Sequence, residues 1–214
     1  KEEKICFPSS QIRLEGLLHA DQGHPAKGGV ILCHPHPLYG GDMHHPVLDA
    51  GVQAAREAGM WSLRFNFRGV GGSEGHYADG RGEQEDVHAA IDTLDAAFEG
   101  GDHFLVLLGY SFGAWTGLPV AIRDERVMGL AAVGPPLEMY SFEFLKDCPK
   151  KKLILVGDRD LYCPLHRLHP WFSSLDEPKS FTLIEGSDHF FFSSHRSLLA
   201  PLKEYFRSFS ASSS

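Results

Sequence analysis

The sequence has few cysteines and no long hydrophobic run, and both features narrow the kinds of protein it can be. The cysteines are Cys6, Cys33, Cys148 and Cys163. Because no two of them form a CxxC pair, they favour free thiols in a reducing compartment over a disulfide framework. No stretch approaches the roughly 18 apolar residues of a membrane span. The net charge of −8, without clusters of Lys or Arg, argues against binding to nucleic acid or to an anionic membrane.

The remaining composition is that of an ordinary globular domain. Hydrophobic residues make up 43% of the 214 residues and charged residues 22%, so disorder is not expected. We expect one domain over residues 1–209 and a frayed tail over 210–214. The first residues lack the apolar run of a signal peptide, and the cytoplasm is the expected location. The chain begins at Lys1 without a methionine, which leaves open whether a segment has been removed.

Short apolar runs alternate with helix-length amphipathic stretches from Gly28 onward, which indicates βα units and a mostly parallel sheet. Before them, two short strands separated by Pro8, Ser9 and Ser10 predict an antiparallel hairpin. The predicted strands are Lys4–Phe7, Ile12–His19, Gly29–Cys33, Met60–Phe67, His103–Leu108, Val127–Val133, Lys152–Val156 and Ser180–Ile184. Most are continuously apolar, as strands covered by helices on both faces are.

Apolar side chains at helical spacing predict the helices between these strands. Pro46 and Gly59 bracket one helix, and the stripe from Val87 to Phe98 marks the next. Another helix is expected after Ser111, where Pro119 should kink or shorten it. A further helix precedes Leu175, and the last carries the apolar positions Leu198, Leu202, Tyr205, Phe206 and Phe209.

The pattern GxSxG, which is typical of a nucleophilic serine on a sharp strand-to-helix turn, occurs twice. Gly109–Gly113 follows a buried-strand run and precedes a possible helix, so strand, turn and helix arrive in the required order. Gly71–Gly75 lies beyond its strand and is followed by loop-like sequence. We therefore predict Ser111 as the nucleophile and place Ser73 in a glycine-rich loop, which also lacks the complete GxGxxG of a dinucleotide site.

A serine hydroxyl needs a base to take its proton, and that base needs a third group to orient it. Strand Lys152–Val156 is followed by Asp158 and Asp160, and strand Ser180–Ile184 by His189. Both partners thus follow later strands in the order serine, acid, histidine. The sequence predicts a catalytic triad whose base is His189.

These motifs resemble those of the α/β-hydrolase superfamily, specifically a bacterial serine esterase-like group related to dienelactone hydrolases. The resemblance rests on Gly109–Gly113, on Asn66–Ser73 and on Cys33–Gly41, and it spans nearly the whole chain. It implies an α/β-hydrolase fold with a minimal lid or none, and it implies Asp160 as the acid. Dienelactone hydrolases use a cysteine nucleophile, whereas this chain has Ser111, so a serine esterase is the better inference.

Two backbone N–H groups are expected to bind the oxyanion that forms during acyl transfer. One should belong to Phe112, the residue after the nucleophile. The other should come from the loop after Gly29–Cys33, where Pro35 and Pro37 have no N–H, so His36 or Leu38 must supply it, and His36 is favoured. The same loop holds His34, His44 and His45, but no carboxylate or cysteine completes a recognisable metal-ligand spacing, so no metal is expected.

Substrate selection is expected from apolar residues near the triad. The segment between the strands ending at Val133 and starting at Lys152 could build only a small cap. The predicted pocket residues are Leu38, Tyr39, Tyr110, Met139, Phe142 and Phe190. We expect hydrolysis of short-chain carboxylic esters without a cofactor, by a monomer or homodimer. Thioester or lactone hydrolysis, and a non-catalytic ligand- or protein-binding role, remain open alternatives.

Overall fold

A computed structural model of the protein describes residues 2–20 and 26–210, and within these ranges eight strands form one sheet. The order across the sheet is β1-β2-β4-β3-β5-β6-β7-β8. The strands are β1 (Glu3–Ser9), β2 (Ile12–His19), β3 (Gly28–Cys33), β4 (Trp61–Phe65), β5 (Phe104–Tyr110), β6 (Val127–Val133), β7 (Lys151–Gly157) and β8 (Lys179–Ile184).

The N-terminal hairpin is antiparallel, and the rest of the sheet is parallel. Strand β1 pairs with β2, and β2 pairs with β4, in antiparallel register. Every pair from β4 to β8 is parallel. Strand β1 continues through Pro8 and Ser9, where the sequence predicted a turn, and only Ser10 and Gln11 make the connection. Pro8 is tolerated because β1 is an edge strand.

Helices cover both faces of the sheet, as the apolar strands predicted. They are α1 (Pro46–Glu57), α2 (Arg81–Ala97), α3 (Phe112–Arg123), α4 (Leu165–Ser174) and α5 (Leu199–Ser210). In β3, Val30 and Leu32 pack into a cluster shared with α1 and α5, whereas Ile31 and Cys33 pack into a second cluster shared with α2, α3 and α4. These four side chains are fully buried. The α/β-hydrolase architecture expected from the sequence is confirmed.

Helix α3 does not end at Pro119. It runs from Phe112 to Arg123 although Pro119 cannot donate the hydrogen bond of an ordinary helical residue. The flanking side chains Leu118 and Ala121 are fully buried, and Val120 is nearly so. Burial of this apolar surface outweighs the cost of the proline, so the predicted shortening of the helix is wrong.

The segment between β6 and β7 forms only a small cap, whose one helical element within the described residues is a short 3-10 turn at Glu143–Leu145. Two other 3-10 turns are described: Pro37–Tyr39 follows β3, and His195–Leu198 precedes α5. Helix α5 includes Ser210, and the rest of the predicted frayed tail, 211–214, lies outside the described residues. Across the part of the chain that the structure describes, no helix has the length and hydrophobicity needed to traverse a bilayer.

Candidate active site

The predicted catalytic side chains follow three different strands but lie at the same edge of the sheet. Ser111 comes directly after β5, Asp160 follows β7 and His189 follows β8. These strands are parallel neighbours in the series β5-β6-β7-β8, so their carboxyl ends point the same way. The crevice outside the carboxyl ends of parallel strands is where α/β proteins place their ligands.

Ser111 sits on a sharp, strained turn between β5 and α3. Its φ of 53° and ψ of −117° are unusual for a residue with a side chain. The two motif glycines make the turn possible, because a Cβ at Gly113 would collide with the backbone of Cys33, and one at Gly109 would collide with Ala114. The N–H of Ser111 donates to the carbonyl of Val133 at 2.9 Å, which ties the turn to β6.

The structure brings Ser111, His189 and Asp160 into one hydrogen-bonded row. Ser111 Oγ lies 2.9 Å from His189 Nε2. His189 Nδ1 lies 2.8 Å from Asp160 Oδ2. Because the carboxylate can only accept, Nδ1 carries the proton and Nε2 is free to accept from the serine hydroxyl. All three residues are largely buried, with exposures of 9% or less, which shields their interactions from water.

Asp160, rather than Asp158, contacts the histidine. Asp160 Oδ1 accepts backbone N–H bonds from Tyr162 at 2.8 Å and Cys163 at 3.0 Å, which leaves Oδ2 for His189. Asp158 instead accepts from the N–H of Ser187 at 3.1 Å and joins the loop after β7 to the loop after β8. The two aspartates therefore have different roles: Asp160 orients the imidazole, and Asp158 holds the loop that carries His189.

Tyr110 supports the loop that carries His189. Its hydroxyl donates to the carbonyl oxygen of His189 at 2.9 Å, and its side chain is almost completely buried. Burial raises the pKa of Tyr110, so the hydroxyl remains a neutral donor. This bond fixes the backbone of His189 relative to β5, the strand that ends at the turn carrying Ser111.

His34 anchors the loop after β3 and is not available to a metal ion. Its Nε2 accepts from the N–H of Phe67 at 3.0 Å, and its Nδ1 donates to the carbonyl of Pro35 at 2.6 Å. Burial lowers its pKa to about 4, which keeps the ring neutral. Both nitrogens are occupied by backbone, and no cluster of potential metal ligands occurs among residues 2–20 and 26–210.

The two N–H groups considered for the second oxyanion contact have different environments. The N–H of Leu38 donates to Nδ1 of His36 at 3.2 Å and is therefore occupied. The N–H of His36 donates to no acceptor among the described residues, and the same is true of Phe112. The His36 and Phe112 rings are 4.7 Å apart, which brings the two segments together beside Ser111.

Ser73, in the second GxSxG copy, has a structural environment. Its hydroxyl donates to the carbonyl of Asn66 at 2.7 Å and accepts from the N–H of Glu15 at 3.1 Å. The neighbouring Arg68 binds the buried carboxylate of Asp86 through both Nε and Nη2. These bonds hold the glycine-rich loop against β2 and α2, and both hydrogen bonds of the Ser73 hydroxyl are made with backbone groups.

A cavity of about 490 Å³ opens beside the hydrogen-bonded row of Ser111, His189 and Asp160. Its wall is mostly aromatic, and none of the described residues that line it is Lys, Arg, Asp or Glu. The lining residues are Pro35, His36, Tyr39, Gly40, Gly41, His45, Tyr110, Ser111, Phe112, Met139, Tyr140, Tyr162, His189, Phe190 and Phe192. The described lining therefore offers no fixed charge that could balance an ionised group.

Four of the six predicted pocket residues line this cavity, and two do not. Leu38 is 65% exposed and lies outside the lining. Phe142 is 2% exposed and packs against Phe144 and Trp171 in the core below the cap. Both placements were wrong because the sequence does not show which cap and loop side chains turn inward.

The sequence did not point to His45 or Tyr162 as pocket residues, although both line the cavity. The sequence could have indicated the position of His45, since it directly precedes Pro46, the first residue of α1. In the structure, His45 Nδ1 caps α1 by accepting from the N–H of Val47 at 3.3 Å. Near His189, Phe191 is buried in the core, whereas Phe190 and Phe192 line the cavity. Adjacent side chains that alternate in direction account for this split.

The sheet, the nucleophile turn and the hydrogen-bonded row together define an α/β-hydrolase with a serine at the nucleophile position. The chain belongs to the alpha/beta hydrolase domain family, whose model matches residues 27–211. It is 34% identical over 196 residues to an uncharacterized protein of Rickettsia prowazekii, covering 88% of this chain and 82% of that one.

Two solved structures are similar over nearly their whole length. An alpha-beta serine hydrolase homologue from Coxiella burnetii is 32% identical, with a TM-score of 0.86 and coverage of 95% of this chain and 96% of that one. A lidless a/b serine hydrolase from Xanthomonas campestris is 26% identical, with a TM-score of 0.87 and coverage of 98% and 95%. These likenesses support a hydrolase activity in general terms.

Proposed function

We propose that the protein is a serine hydrolase that cleaves esters of short-chain carboxylic acids through an acyl-enzyme intermediate. The observation that carries the proposal is the row of Ser111, His189 and Asp160, with its serine end facing the cavity. A purely binding protein has no need of a buried carboxylate, a correctly protonated imidazole and a strained serine in this order.

In the proposed reaction, Ser111 Oγ attacks the ester carbonyl carbon while its proton passes to Nε2 of His189. Asp160 stabilises the imidazolium that forms. The C–O bond to the alcohol then breaks, and His189 returns the proton to the leaving oxygen. His189 Nε2 then takes a proton from a water molecule, whose oxygen attacks the acyl carbon. The bond between that carbon and Ser111 Oγ breaks, His189 returns the proton to Oγ, and the carboxylic acid is released.

The oxyanion of each tetrahedral intermediate is proposed to bind the N–H groups of Phe112 and His36. Both groups lack an acceptor among the described residues, whereas the N–H of Leu38 is already engaged. Each well-placed donor of this kind is worth roughly 3 to 4 kcal/mol in the transition state. Burial lowers the pKa of His36, so its ring stays neutral and Nδ1 continues to hold Leu38.

The size of the site favours short acyl groups. A cavity of about 490 Å³ must hold both the acyl and the alcohol portions of the ester. The cap that bounds it is small and is braced by Tyr140, whose ring stacks on Trp115 at 4.3 Å. Such a braced wall does not readily move aside for a long chain, and no larger lid is present in the described residues to cover one.

A series of p-nitrophenyl esters tests the proposal. We expect kcat/KM to be highest for acetate to butyrate and to fall at least tenfold by decanoate, with activity abolished in Ser111→Ala and kept in Ser73→Ala. A preference for decanoate would contradict the assignment of acyl length. Butyrate thioesters and small lactones measured in parallel would displace the ester assignment if either is cleaved more efficiently than the matched alkyl ester.

A further inference from the structure

Five aromatic side chains form a closed circuit on the histidine side of the cavity. Its members are His45, Tyr110, His189, Phe190 and Phe192, all of which line the cavity. Around the circuit, successive ring centroids lie 5.7, 6.1, 5.4, 4.8 and 5.9 Å apart, starting with the pair His189–Phe190. We call this set the aromatic circuit. Every spacing falls within the range in which aromatic rings attract one another.

The reaction geometry shows which part of an ester would meet this circuit. The proton that His189 takes from Ser111 must be delivered to the leaving oxygen, so the alcohol portion has to lie beside Nε2 of His189. The oxyanion points the other way, toward the N–H groups of Phe112 and His36. Phe190 and Phe192 therefore border the path of the departing alcohol.

The circuit is aromatic and partly uncovered. Phe190 is 46% exposed and Phe192 is 64% exposed, and their rings are nearly parallel, with an interplanar angle of 11°. His45 completes the wall as a neutral ring, because burial lowers its pKa to about 4 and its Nδ1 is used to cap α1. Uncharged aromatic faces and edges bind a flat aromatic group better than an aliphatic group of equal size.

We propose that the aromatic circuit binds the alcohol portion of the substrate and that this alcohol carries a flat aromatic ring, as in an arylmethyl ester of a short-chain acid. The inference rests on the proposed esterase function and adds the leaving-group class to it. Phe190, which the sequence placed among the pocket residues, is here a determinant of alcohol specificity together with Phe192 and His45.

Acetates that share an acyl group and differ only in the alcohol test this proposal. Benzyl acetate and cyclohexylmethyl acetate have leaving groups of similar size and reactivity, so their ratio of kcat/KM reports recognition of the ring. We expect benzyl acetate to be favoured about two- to tenfold, the effect of one or two aromatic contacts. Phe192→Leu, which keeps an apolar side chain, should bring the ratio close to one, mainly through the KM of benzyl acetate.

Two further variants sharpen the comparison. His45→Asn should also lower the ratio, since asparagine keeps a cap for α1 but removes the ring. Leu161→Ala is the matched control, because Leu161 is 84% exposed near the site without lining the cavity, and it should leave the ratio unchanged. A wild-type ratio of one or below, or a ratio that Phe192→Leu does not alter, would overturn the proposal.

Failure of the esterase function itself would look different, because no acetate would be cleaved and Ser111 would not react with a fluorophosphonate. In that case the binding of benzyl alcohol and cyclohexylmethanol can be compared by saturation-transfer NMR, which needs no hydrolysis. Stronger transfer to benzyl alcohol that is lost in Phe192→Leu would support the aromatic site. Equal transfer to both alcohols would overturn it.

Discussion

Replacing Asp160 by asparagine should nearly abolish activity without changing the shape of the site. Asp160 Oδ1 accepts two N–H bonds, from Tyr162 and Cys163. An asparagine would therefore place its carbonyl oxygen there, because an NH2 group would face two other donors. The NH2 group then takes the position of Oδ2, which lies 2.8 Å from His189 Nδ1.

The substitution reverses the hydrogen bonds of the histidine. With an amide N–H donating to Nδ1, the imidazole proton moves to Nε2, which then cannot accept from Ser111 Oγ. Loss of the correct tautomer costs roughly 10⁴-fold in kcat in triads of this type, or about 5 kcal/mol of transition-state stabilisation. The fold should be unaffected, since the two side chains are nearly identical in volume.

The assay is kcat/KM for p-nitrophenyl acetate, with thermal unfolding as the check on folding. Asp158→Asn is the matched control, because Asp158 contacts the N–H of Ser187 and not His189, and it should keep activity within a few-fold of wild type. Retention of activity within tenfold by a folded Asp160→Asn protein would refute the role given to this carboxylate.

Three other predictions concern the loops that support the site. His34 has a pKa of about 4 in the folded protein against about 6.5 when unfolded, so the unfolded chain binds more protons between these values. About 3 kcal/mol of folding free energy is therefore fully present above pH 6.5 and should be lost as the pH falls through 4. Urea unfolding at several pH values should show that the unfolding free energy falls less steeply with decreasing pH in His34→Gln than in wild type. The same dependence on pH in both proteins would contradict the burial argument. Gly113→Ala should destabilise the protein by about 2 kcal/mol or more in urea unfolding, because the added Cβ would meet the backbone of Cys33 and His34. An unchanged unfolding free energy would show that the turn between β5 and α3 has room to relax. Ser73→Ala should cost about 1 to 2 kcal/mol of unfolding free energy, because it loses one buried and one partly buried hydrogen bond, yet it should keep esterase activity. A large loss of kcat in the folded variant would place Ser73 in the chemistry after all.

The sequence predicted best those strands whose side chains are buried on both faces of the sheet. Continuously apolar runs such as Val30–Cys33 identified the parallel strands, and the strand-turn-helix context separated Ser111 from Ser73. The order serine, acid and histidine then placed the remaining partners at the carboxyl edge. The domain limits at 1–209, the monomer or homodimer state and the cytoplasmic location stay predictions.

What the sequence could not predict was the direction of side chains in irregular segments. Phe142 and Tyr140 are two residues apart in the cap, yet only Tyr140 reaches the cavity. Pro119 carries a strong signal for a helix break, which the burial of its neighbours overrides. In both cases tertiary packing, which a local pattern does not contain, decides the outcome.

Exposure to a fluorophosphonate, followed by mass spectrometry of the intact protein and of its proteolytic peptides, tests the central claim most directly, since the reagent reacts with a serine activated by a neighbouring base. We predict a single adduct located on the peptide that contains Ser111, present in wild type and Ser73→Ala and absent in Ser111→Ala. An unmodified wild-type protein, or an adduct that persists in Ser111→Ala, would contradict the assignment of Ser111 as the nucleophile.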